Sequence, residues 1–353
     1  MPATIVVGGQ YGSEGKGKVV ALLANSADRP WLVRCGGPNS GHTVTIDGKD
    51  VIMRQVPSCA KPNGVTFCIA AGCVVDESLL LRELEMLKIE RGSIIVDPRA
   101  VFVTAEDRDA ESRDLGHIGS TCSGTGAALQ RRMSRRFDIR LVAESEDLRG
   151  RCRIESVAPL LHRVHDDGGN IIVEGTQGFG LSLLHGPDYP YVTSRDTTAA
   201  GFAAEVGLSP RHVENIMMVI RTFPIRVGGT SGPFPNEISW QEIQTVSGAP
   251  EVLAEYTSVT KRLRRVARFD LDAVRIACSY NRPTGLAVMG LDRLDYANTG
   301  VTESAKLSAA GRKFLDALEM NTGVPVQFIG TGFGTFDAIT VTTTSRHTEA
   351  AHV

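Results

Sequence analysis

Residues Gly8 to Lys18, GGQYGSEGKGK, have the types and spacing of a phosphate-binding loop. A β-branched run precedes them and an apolar run follows, so the order is strand, glycine loop, helix. Such a loop directs backbone N–H groups and a helix N-terminus at anionic oxygens, and Lys16 adds positive charge. The stretch from Gly12 matches G-x-x-x-x-G-K, although Val19 stands where a Walker loop has Ser or Thr. A tight strand-to-helix turn is the alternative, but such a turn needs neither the five glycines nor the two lysines found here.

A second polar, glycine-rich stretch, RCGGPNSGHT at 34–43, follows an apolar strand pattern. It contains a single histidine, His42, among small residues and amides. A lone histidine is more often structural than catalytic, but a polar loop at a strand end favours chemistry. An imidazole placed there can donate a proton to a phosphate oxygen or to a leaving group.

The elements that must position these loops alternate along the chain. Strand patterns occur at 4–8, 31–35, 66–71, 93–97, 170–174, 215–222, 284–289 and 326–330. Apolar residues at helical spacing predict helices over 76–89, 270–280 and 302–319, with Thr302 as a cap of the last one. The alternation indicates an α/β fold with a large, mostly parallel central sheet flanked by helices. Ligands of such folds bind at the carboxyl ends of strands, where both glycine-rich loops fall.

The composition is typical of a globular enzyme. The chain has 353 residues, 42% of them hydrophobic, and a net charge of −2, so overall charge indicates neither a nucleic-acid nor a membrane partner. No apolar run approaches the roughly 18 residues of a membrane span, and a signal-peptide pattern is absent, so we expect a cytoplasmic protein. Seven cysteines without a Cys-x-x-Cys pair favour free thiols over zinc or disulfides. We expect a single domain over 1–353, with a frayed tail at 340–353.

GGQYGSEGKGK followed by GGPNSGHT resembles the two N-terminal signatures of the adenylosuccinate synthetases. Further motifs follow in the family's order: GSTCSGTG at 119–126, EGTQG at 174–178, YPYVTS at 189–194, and RVG with GPFP within 226–235. The resemblance runs from residue 4 to about residue 340. It implies the synthetase fold with a P-loop-like phosphate loop. It also implies a ligase that joins L-aspartate to the 6-position of a purine nucleotide through a 6-phosphoryl intermediate, with hydrolysis of a nucleoside triphosphate.

The resemblance assigns the donor site. It implies that Lys16 binds the β- and γ-phosphates, that His42 acts as an acid on the γ-phosphate, and that Mg²⁺ lies beside Ser13 and the main chain of Gly41. The donor nucleotide, ATP or GTP, would be bound by Gly12, Ser13, Glu14, Gly15, Lys16, Gly17, Lys18, Gly41, His42, Thr43, Asp292, Gly330 and Gly332.

The acceptor site is assigned in the same way. Gln177 joins Ser13, Lys16 and His42 as an implied catalytic residue. Arg135 matches an arginine that reaches the 5′-phosphate bound by the partner subunit, which implies a homodimer. The acceptor nucleotide would be bound by Ser13, Asn39, Ser120, Thr121, Arg135, Gln177, Thr193, Val227 and Arg262.

A basic run at 260–265, TKRLRR, resembles the family's aspartate loop, TTGRxRR. Arg262 and Arg264 would clamp the two carboxylates of aspartate, for which bidentate guanidinium geometry is suited. Val259 and Thr260 would lie beside them. Without the resemblance, a solvated basic face would be the simpler interpretation of this run.

Three positions depart from the family pattern. The family loop reads GDEGKGK, and its aspartate takes the N1 proton of IMP and binds Mg²⁺. Ser13 occupies the position of that aspartate in this chain. A hydroxyl cannot act as the same base near neutral pH. The family's TKLD, which reads guanine in GTP, is Met289 to Asp292 here with Gly290 in place of lysine, so ATP becomes plausible as donor. The TTG of the aspartate loop is VTK, which removes one hydroxyl.

A serine at position 13 fits a branch of the family in which phage enzymes use dGMP instead of IMP to make a precursor of diaminopurine. Guanine differs from hypoxanthine by a 2-amino group beside N1, and the shorter Ser13 leaves space and a neutral acceptor for it. We therefore expect dGMP as acceptor. Alternatives are a conventional synthetase acting on IMP with GTP, a nucleotide-dependent switch, and an inactive relative. The arginine loop argues against a switch, and intact Lys16 and His42 argue against an inactive protein.

Overall fold

A computed structural model describes residues 3–257 and 261–341. Its strands are β1 (Ala3–Gly8), β2 (Trp31–Arg34), β3 (His42–Ile46), β4 (Lys49–Met53), β5 (Thr66–Ile69), β6 (Val74–Val75), β7 (Ile94–Val96), β8 (Val101–Phe102), β9 (Arg153–Ile154), β10 (Ile171–Glu174), β11 (Val213–Arg221), β12 (Ile225–Arg226), β13 (Glu237–Ile238), β14 (Arg265–Ala267), β15 (Gly285–Met289), β16 (Val326–Gly330) and β17 (Ala338–Thr340). Its α-helices are α1 (Lys16–Ser26), α2 (Glu77–Met86), α3 (Ala105–Asp114), α4 (Thr125–Met133), α5 (Glu146–Arg151), α6 (Val157–Asp166), α7 (Ala199–Val206), α8 (Trp240–Ser247), α9 (Leu271–Asn281), α10 (Leu291–Leu294) and α11 (Ala309–Thr322).

Ten strands form one sheet in the order β17-β16-β15-β11-β1-β10-β2-β5-β7-β9. Neighbours run parallel throughout except for β16 and β17. All four residues of β10 are buried, and because consecutive side chains point to opposite faces, both faces of the sheet are covered there. The predicted α/β fold with a large, mostly parallel sheet is confirmed, and each predicted strand is present with small differences at its ends.

The strand β1 lies in the interior of this sheet, between β10 and β11. Because these strands are parallel, the loops that follow β1, β2, β10, β11, β15 and β16 leave from the same edge. Both glycine-rich loops are among them. The sheet therefore collects short segments that are hundreds of residues apart in sequence, at the edge where ligands of such folds bind.

Helix boundaries follow local capping. Asp76 caps α2, with its carboxylate 3.1 Å from the backbone N of Leu79. The helix predicted from Thr302 instead begins at Ala309, so that prediction was wrong at its start. Ser308 is the cap and its hydroxyl accepts from Gly311 N at 3.1 Å, because a serine hydroxyl satisfies an N–H group that the first turn leaves free.

A smaller antiparallel sheet, in the order β12-β14-β13, packs around its own apolar cluster, which includes Phe223, Trp240 and Ile243. The segment before β14 carries the basic run. Tyr256 pairs with Leu263 in an antiparallel bridge, while Val259 and Thr260 lie outside the described residues.

The seven cysteines are all free thiols, as predicted, and six of them are buried. Burial raises the pKa of the Cys68 thiol, for example. These cysteines therefore serve packing. Within 3–257 and 261–341, none of the helices combines the length and apolarity needed to cross a membrane. The tail predicted at 340–353 begins too early, since Thr340 is the last residue of β17; residues 342–353 lie outside the described part of the chain.

Candidate active site

The glycine loop between β1 and α1 is built around a buried ion pair. The carboxylate of Glu14 is fully buried and lies 2.5 Å from Nζ of Lys16. It also accepts from the backbone N–H groups of Gln10 and Gly12, at 3.2 and 2.8 Å. Two of the loop's backbone N–H groups therefore already donate to Glu14 and are not free for a ligand. Glu14 and Lys16 therefore hold the loop in shape before any ligand arrives.

Ser13 lies at the tip of this loop with φ of 56°, in the left-handed region. Aspartate and asparagine tolerate that region better than serine does. The backbone therefore gives no reason for serine at this position. Its hydroxyl accepts a close hydrogen bond from Nη1 of Arg264, and its carbonyl lies 3.3 Å from Nη1 of Arg221.

The second lysine of the loop, Lys18, has a structural environment. Its Nζ donates to the carbonyls of Gly332 and Asp337, at 3.0 and 2.8 Å. Burial lowers the pKa of this ammonium group to about 8. Lys18 therefore ties α1 to the loop after β16, and its charge is already solvated by protein oxygens.

His42 begins β3 and is buried against Glu174, the last residue of β10. Its Nδ1 lies 2.6 Å from Oε1 of Glu174 and 2.8 Å from Nη1 of Arg34. The same Nη1 of Arg34 lies 2.8 Å from Oε2 of Glu174. Because a guanidinium only donates and a carboxylate only accepts, the consistent arrangement is that Nδ1–H and Arg34 both donate to Glu174. Nε2, 3.2 Å from the hydroxyl of Ser40, is then left as an acceptor.

The charges in this cluster have shifted pKa values. Burial, with help from the Arg34 charge, lowers the pKa of His42 to about 4, so the imidazole is neutral at pH 7. Burial alone would raise the pKa of Glu174, but Arg34 and His42 outweigh it and hold that pKa well below its ordinary range. Negative charge placed near His42 would raise its affinity for a proton, since opposite charges favour the protonated ring.

A large cavity of about 530 Å³ opens beside the glycine loop. Most of the predicted donor residues line it, namely Ser13, Glu14, Gly15, Lys16, Gly17, Lys18, Gly41, His42, Thr43, Asp292 and Gly332. Gly12 lines neither this cavity nor the smaller one described below. Gly330 lies at the end of β16 against Met289, whose sulfur would be 2.5 Å from an added Cβ. The volume is within the range of small-molecule sites.

Asp292 and Gly290 lie at the far end of the large cavity, after β15. The carboxylate of Asp292 is buried and makes a close contact with Nη1 of Arg293. Gly290 has φ of 84°, and its carbonyl accepts from the hydroxyl of Thr222 at 2.6 Å. A Cβ at this position would lie 3.1 Å from that hydroxyl, so the backbone geometry favours glycine.

A small cavity of about 140 Å³ has Tyr11 of the glycine loop in its wall. The structure brings six of the nine predicted acceptor residues together in its wall, namely Asn39, Ser120, Thr121, Gln177, Thr193 and Val227. Gln177 is close to the glycine loop, since its Oε1 would be 3.6 Å from a Cβ on Gly12. An amide of the small cavity is thus close to the glycine loop.

The three remaining acceptor residues lie elsewhere. Ser13 lines the large cavity. Arg135 is exposed just beyond α4 and lines neither cavity. Arg262 is also exposed, with its backbone N 2.9 Å from the hydroxyl of Thr257. The structure therefore gathers six of the predicted acceptor residues in one cavity, without the Ser13 hydroxyl and the two arginines.

Among the charged residues of the large cavity that the sequence did not predict are Arg221, Glu255 and Arg293. Glu255 makes a close contact with Nη2 of Arg221, and its Oε1 lies 3.6 Å from Nη2 of Arg293. Arg221 ends β11, so its place at the carboxyl end of a parallel strand was a signal that could have found it. The other two follow no motif that the sequence alone makes visible.

The residues around the glycine loop fit a Mg²⁺ ion only if most of its ligands come from phosphate and water. In the described ranges, no group of three or more histidine, cysteine or carboxylate side chains is placed to hold a metal. Glu14 is used by Lys16, which leaves the Ser13 hydroxyl and the Gly41 carbonyl as neutral oxygen donors. Mg²⁺ in nucleotide sites commonly has few protein ligands and several water and phosphate ligands.

The chain is similar to known proteins over most of its length. The family model described as adenylosuccinate synthetase matches residues 5–153 and 142–299. The adenylosuccinate synthetase of Methanocaldococcus jannaschii is 40% identical over 340 residues, covering 94% of each chain. That of Thermococcus sibiricus is 39% identical, covering 94% of this chain and 96% of the relative.

Two solved structures are also similar. Fully ligated adenylosuccinate synthetase from Plasmodium falciparum superposes with a TM-score of 0.84 at 19% identity, over 97% of this chain and 100% of that one, which supports the fold. Succinoaminodeoxyadenylate synthetase of cyanophage S-2L, bound to dGMP and to dATP as an energy donor, gives a TM-score of 0.79 at 27% identity, over 99% of this chain and 97% of that one.

Proposed function

The chain belongs to the adenylosuccinate synthetase family of carbon–nitrogen ligases of purine biosynthesis, and we propose that it joins L-aspartate to the 6-position of dGMP. The product would be N6-succino-2-amino-2′-deoxyadenylate, the precursor of diaminopurine in a phage genome. The observation that carries the proposal is the state of the glycine loop. Its only carboxylate, Glu14, is buried against Lys16, and a serine hydroxyl stands at its tip.

Ser13 supports dGMP over IMP on chemical grounds. A carboxylate at this position would serve as base for N1 of hypoxanthine, and Ser13 cannot, since an alcohol is not ionised near pH 7. Its side chain is shorter than aspartate, so it leaves room beside N1 for a 2-amino group and offers that group an acceptor. The left-handed backbone at Ser13 would be more easily adopted by aspartate, so backbone geometry does not account for the serine. The N1 proton would leave to water or to the phosphoryl group.

The reaction would proceed in two displacements. The purine 6-oxygen attacks the γ-phosphorus, the nucleoside diphosphate leaves, and the aspartate amine then displaces phosphate from carbon 6. Lys16 and the loop N–H groups not used by Glu14 would bind the phosphates, and when bound, Mg²⁺ would offset charge on the transferred group. Without ligand, His42 is neutral, and its Nδ1–H donates to Glu174. Phosphate charge beside the ring would favour protonation at Nε2. Nε2–H could then donate to the phosphoryl oxygen.

For the donor we propose an adenine nucleotide. Reading of guanine by Asp292 requires its carboxylate to accept from the N1–H and 2-amino groups. Here Arg293 already engages that carboxylate, and Gly290 replaces the lysine of the family pattern. The cyanophage enzyme, solved with dATP as an energy donor, supports the same choice.

A conventional synthetase that acts on IMP with GTP is the second candidate. It is favoured by the relatives near 40% identity, which are all named adenylosuccinate synthetase. The assay that separates the two supplies enzyme, Mg²⁺ and aspartate with ATP or GTP, and offers IMP, GMP or dGMP in turn, with the product identified by mass. A succinyl adduct on dGMP supports our proposal, and an adduct on IMP alone contradicts it.

Ser13→Asp is the matched variant for this assay. If Ser13 selects the acceptor, the variant should lose dGMP turnover and shift its preference toward IMP, by about tenfold or more in kcat/KM, since a carboxylate restores the base and removes space. Unchanged selectivity would remove our account of Ser13 without touching the assignment to the ligase family.

We also propose that the active unit is a homodimer in which Arg135 binds the acceptor 5′-phosphate of the partner subunit. Its exposure beyond α4, outside both cavities of its own subunit, supports this. Arg135→Leu should raise the acceptor KM. Mixing it with His42→Asn should restore about a quarter of wild-type activity, because a random hybrid contains one site with both native residues. No recovery on mixing, with both variants folded and hybrid dimers formed, would place Arg135 in its own subunit's site; an unchanged KM in Arg135→Leu would place it in neither site.

A further inference from the structure

Three guanidinium groups and a single glutamate meet in the wall of the large cavity. Glu255 contacts Arg221 and lies 3.6 Å from Arg293, and the charge of Arg264 is also close enough to act on it. Burial by itself would raise the pKa of Glu255, but the three arginines outweigh it, so the pKa is lowered and the group is ionised. The ion pairs are well shielded, with the side chains of Arg221 and Glu255 only 12% and 15% exposed.

The three arginines reach two parts of the cavity. Arg293 contacts the carboxylate of Asp292, at the end where the donor base is proposed to bind. Arg264 donates to the hydroxyl of Ser13, and Arg221 donates to the carbonyl of the same residue at 3.3 Å. Glu255 is the common neighbour of groups that face the donor base, the glycine loop and the proposed aspartate loop.

The backbone joins Glu255 to the aspartate loop as well. Its carbonyl accepts from the backbone N of Arg264 at 2.9 Å, and the next pair, Tyr256 and Leu263, forms an antiparallel bridge. A displacement of Glu255 toward Arg293 would therefore be transmitted to Arg264, because this backbone hydrogen bond joins the two residues.

From these contacts we propose that Glu255 is a positioning residue that couples aspartate binding to binding of the donor base; the inference rests on the function proposed above. With Glu255 in place, a base that contacts Arg293 fixes the Glu255 carboxylate, which in turn fixes Arg221 and, through the backbone hydrogen bond, Arg264. Without it, three cations repel one another in a shielded site and orient independently. Each ligand would still bind, but neither would improve the binding of the other.

The test measures this coupling directly, without turnover. The dissociation constant of L-aspartate is determined by calorimetry with and without saturating β,γ-imido-ATP and Mg²⁺, with the acceptor identified by the turnover assay held saturating. We expect the analogue to tighten aspartate binding about tenfold in the native enzyme, and by less than about twofold in Glu255→Gln. Linkage requires the same factor when aspartate is held saturating and the analogue is titrated, which provides an internal check.

Three further proteins make the result interpretable. Arg293→Ala removes the same link from the other end and should give the same loss of coupling, so the inference stays testable if Glu255→Gln misfolds. Glu255→Asp keeps the charge and should recover part of the coupling. Glu237→Gln is the matched control. It removes the carboxylate that pairs with Arg265, the residue next to Arg264, and this ion pair is more exposed. The variant should leave the coupling factor between aspartate and the analogue unchanged.

The outcomes separate this inference from the proposed function. If Glu255→Gln weakens both ligands but keeps the native coupling factor, Glu255 is merely structural and the inference is overturned. A native enzyme that binds aspartate and the analogue without any coupling also overturns it, while leaving the ligase proposal intact. A native enzyme that binds no aspartate overturns the proposed function itself.

Discussion

The walls of the two cavities differ in how much charge they carry. In the large cavity, lining residues form ion pairs with one another, as in Glu14 with Lys16 and Asp292 with Arg293. In the small cavity, most lining side chains carry hydroxyls or amides or are apolar. Its two charged side chains bind elsewhere: Glu111 accepts from the backbone N of Gly124 and Gly126, at 2.7 and 2.5 Å, and Arg226 pairs with Asp188 at 3.0 Å.

The difference in charge suits the two cavities to two different functions, phosphoryl transfer and purine recognition. Transfer of a phosphoryl group needs charged groups that are already oriented, and buried pairs supply that orientation at the risk of a large loss when one partner is removed. Recognition of a purine depends on single neutral hydrogen bonds, each of which is worth about 1 kcal/mol. Substitutions in the large cavity should therefore have larger effects, on stability and rate, than those in the small one.

The largest effect is expected for Lys16→Met, which leaves the Glu14 carboxylate buried without its partner. We expect a loss of about 3–5 kcal/mol in the free energy of unfolding, together with loss of turnover, because the uncompensated charge cannot reach water. Chemical denaturation followed by circular dichroism measures the first quantity. The double variant Lys16→Met, Glu14→Gln should recover most of the stability but none of the activity. A single variant as stable as the native protein would break the comparison.

His42→Asn should act on rate more than on stability or binding. We expect kcat to fall by about 10²-fold or more, with little change in the KM of either nucleotide, because the charge that His42 meets develops in the transition state. Steady-state kinetics with the acceptor and donor varied in turn provides the measurement. If kcat/KM falls by a similar factor because KM rises while kcat is unchanged, His42 contributes to ground-state binding.

The smallest effect is expected in the small cavity. Thr121→Val removes one hydroxyl and should raise the acceptor KM by about fivefold, with kcat and the unfolding free energy nearly unchanged, since one neutral hydrogen bond is lost. Thr245→Val, on an exposed face of α8, is the control and should change neither constant. If Thr121→Val instead lowers kcat by 10²-fold, about 2.7 kcal/mol, the two cavities are not energetically distinct.

The sequence predicted the strands well because parallel strands buried on both faces are nearly continuous apolar runs, such as Thr4 to Val7. It predicted the start of α11 badly, since Thr302 and Ser308 are both good caps and only packing chose between them. The glycine loop was recognised from its sequence motif. The sequence did not predict that Lys18 donates to the carbonyls of Gly332 and Asp337, because those partners are more than 300 residues away.

By itself, the sequence determined the fold class, the family, and the order of the motifs that meet at one edge of the sheet. These are properties of local periodicity and of short motifs, which the chain carries wherever it folds. Only the tertiary structure decided which charges neutralise one another. Glu14 takes Lys16, Glu174 takes His42 and Arg34, and Glu255 stands among three arginines, since an ion pair depends on distance and burial that the loops acquire when the sheet brings them together.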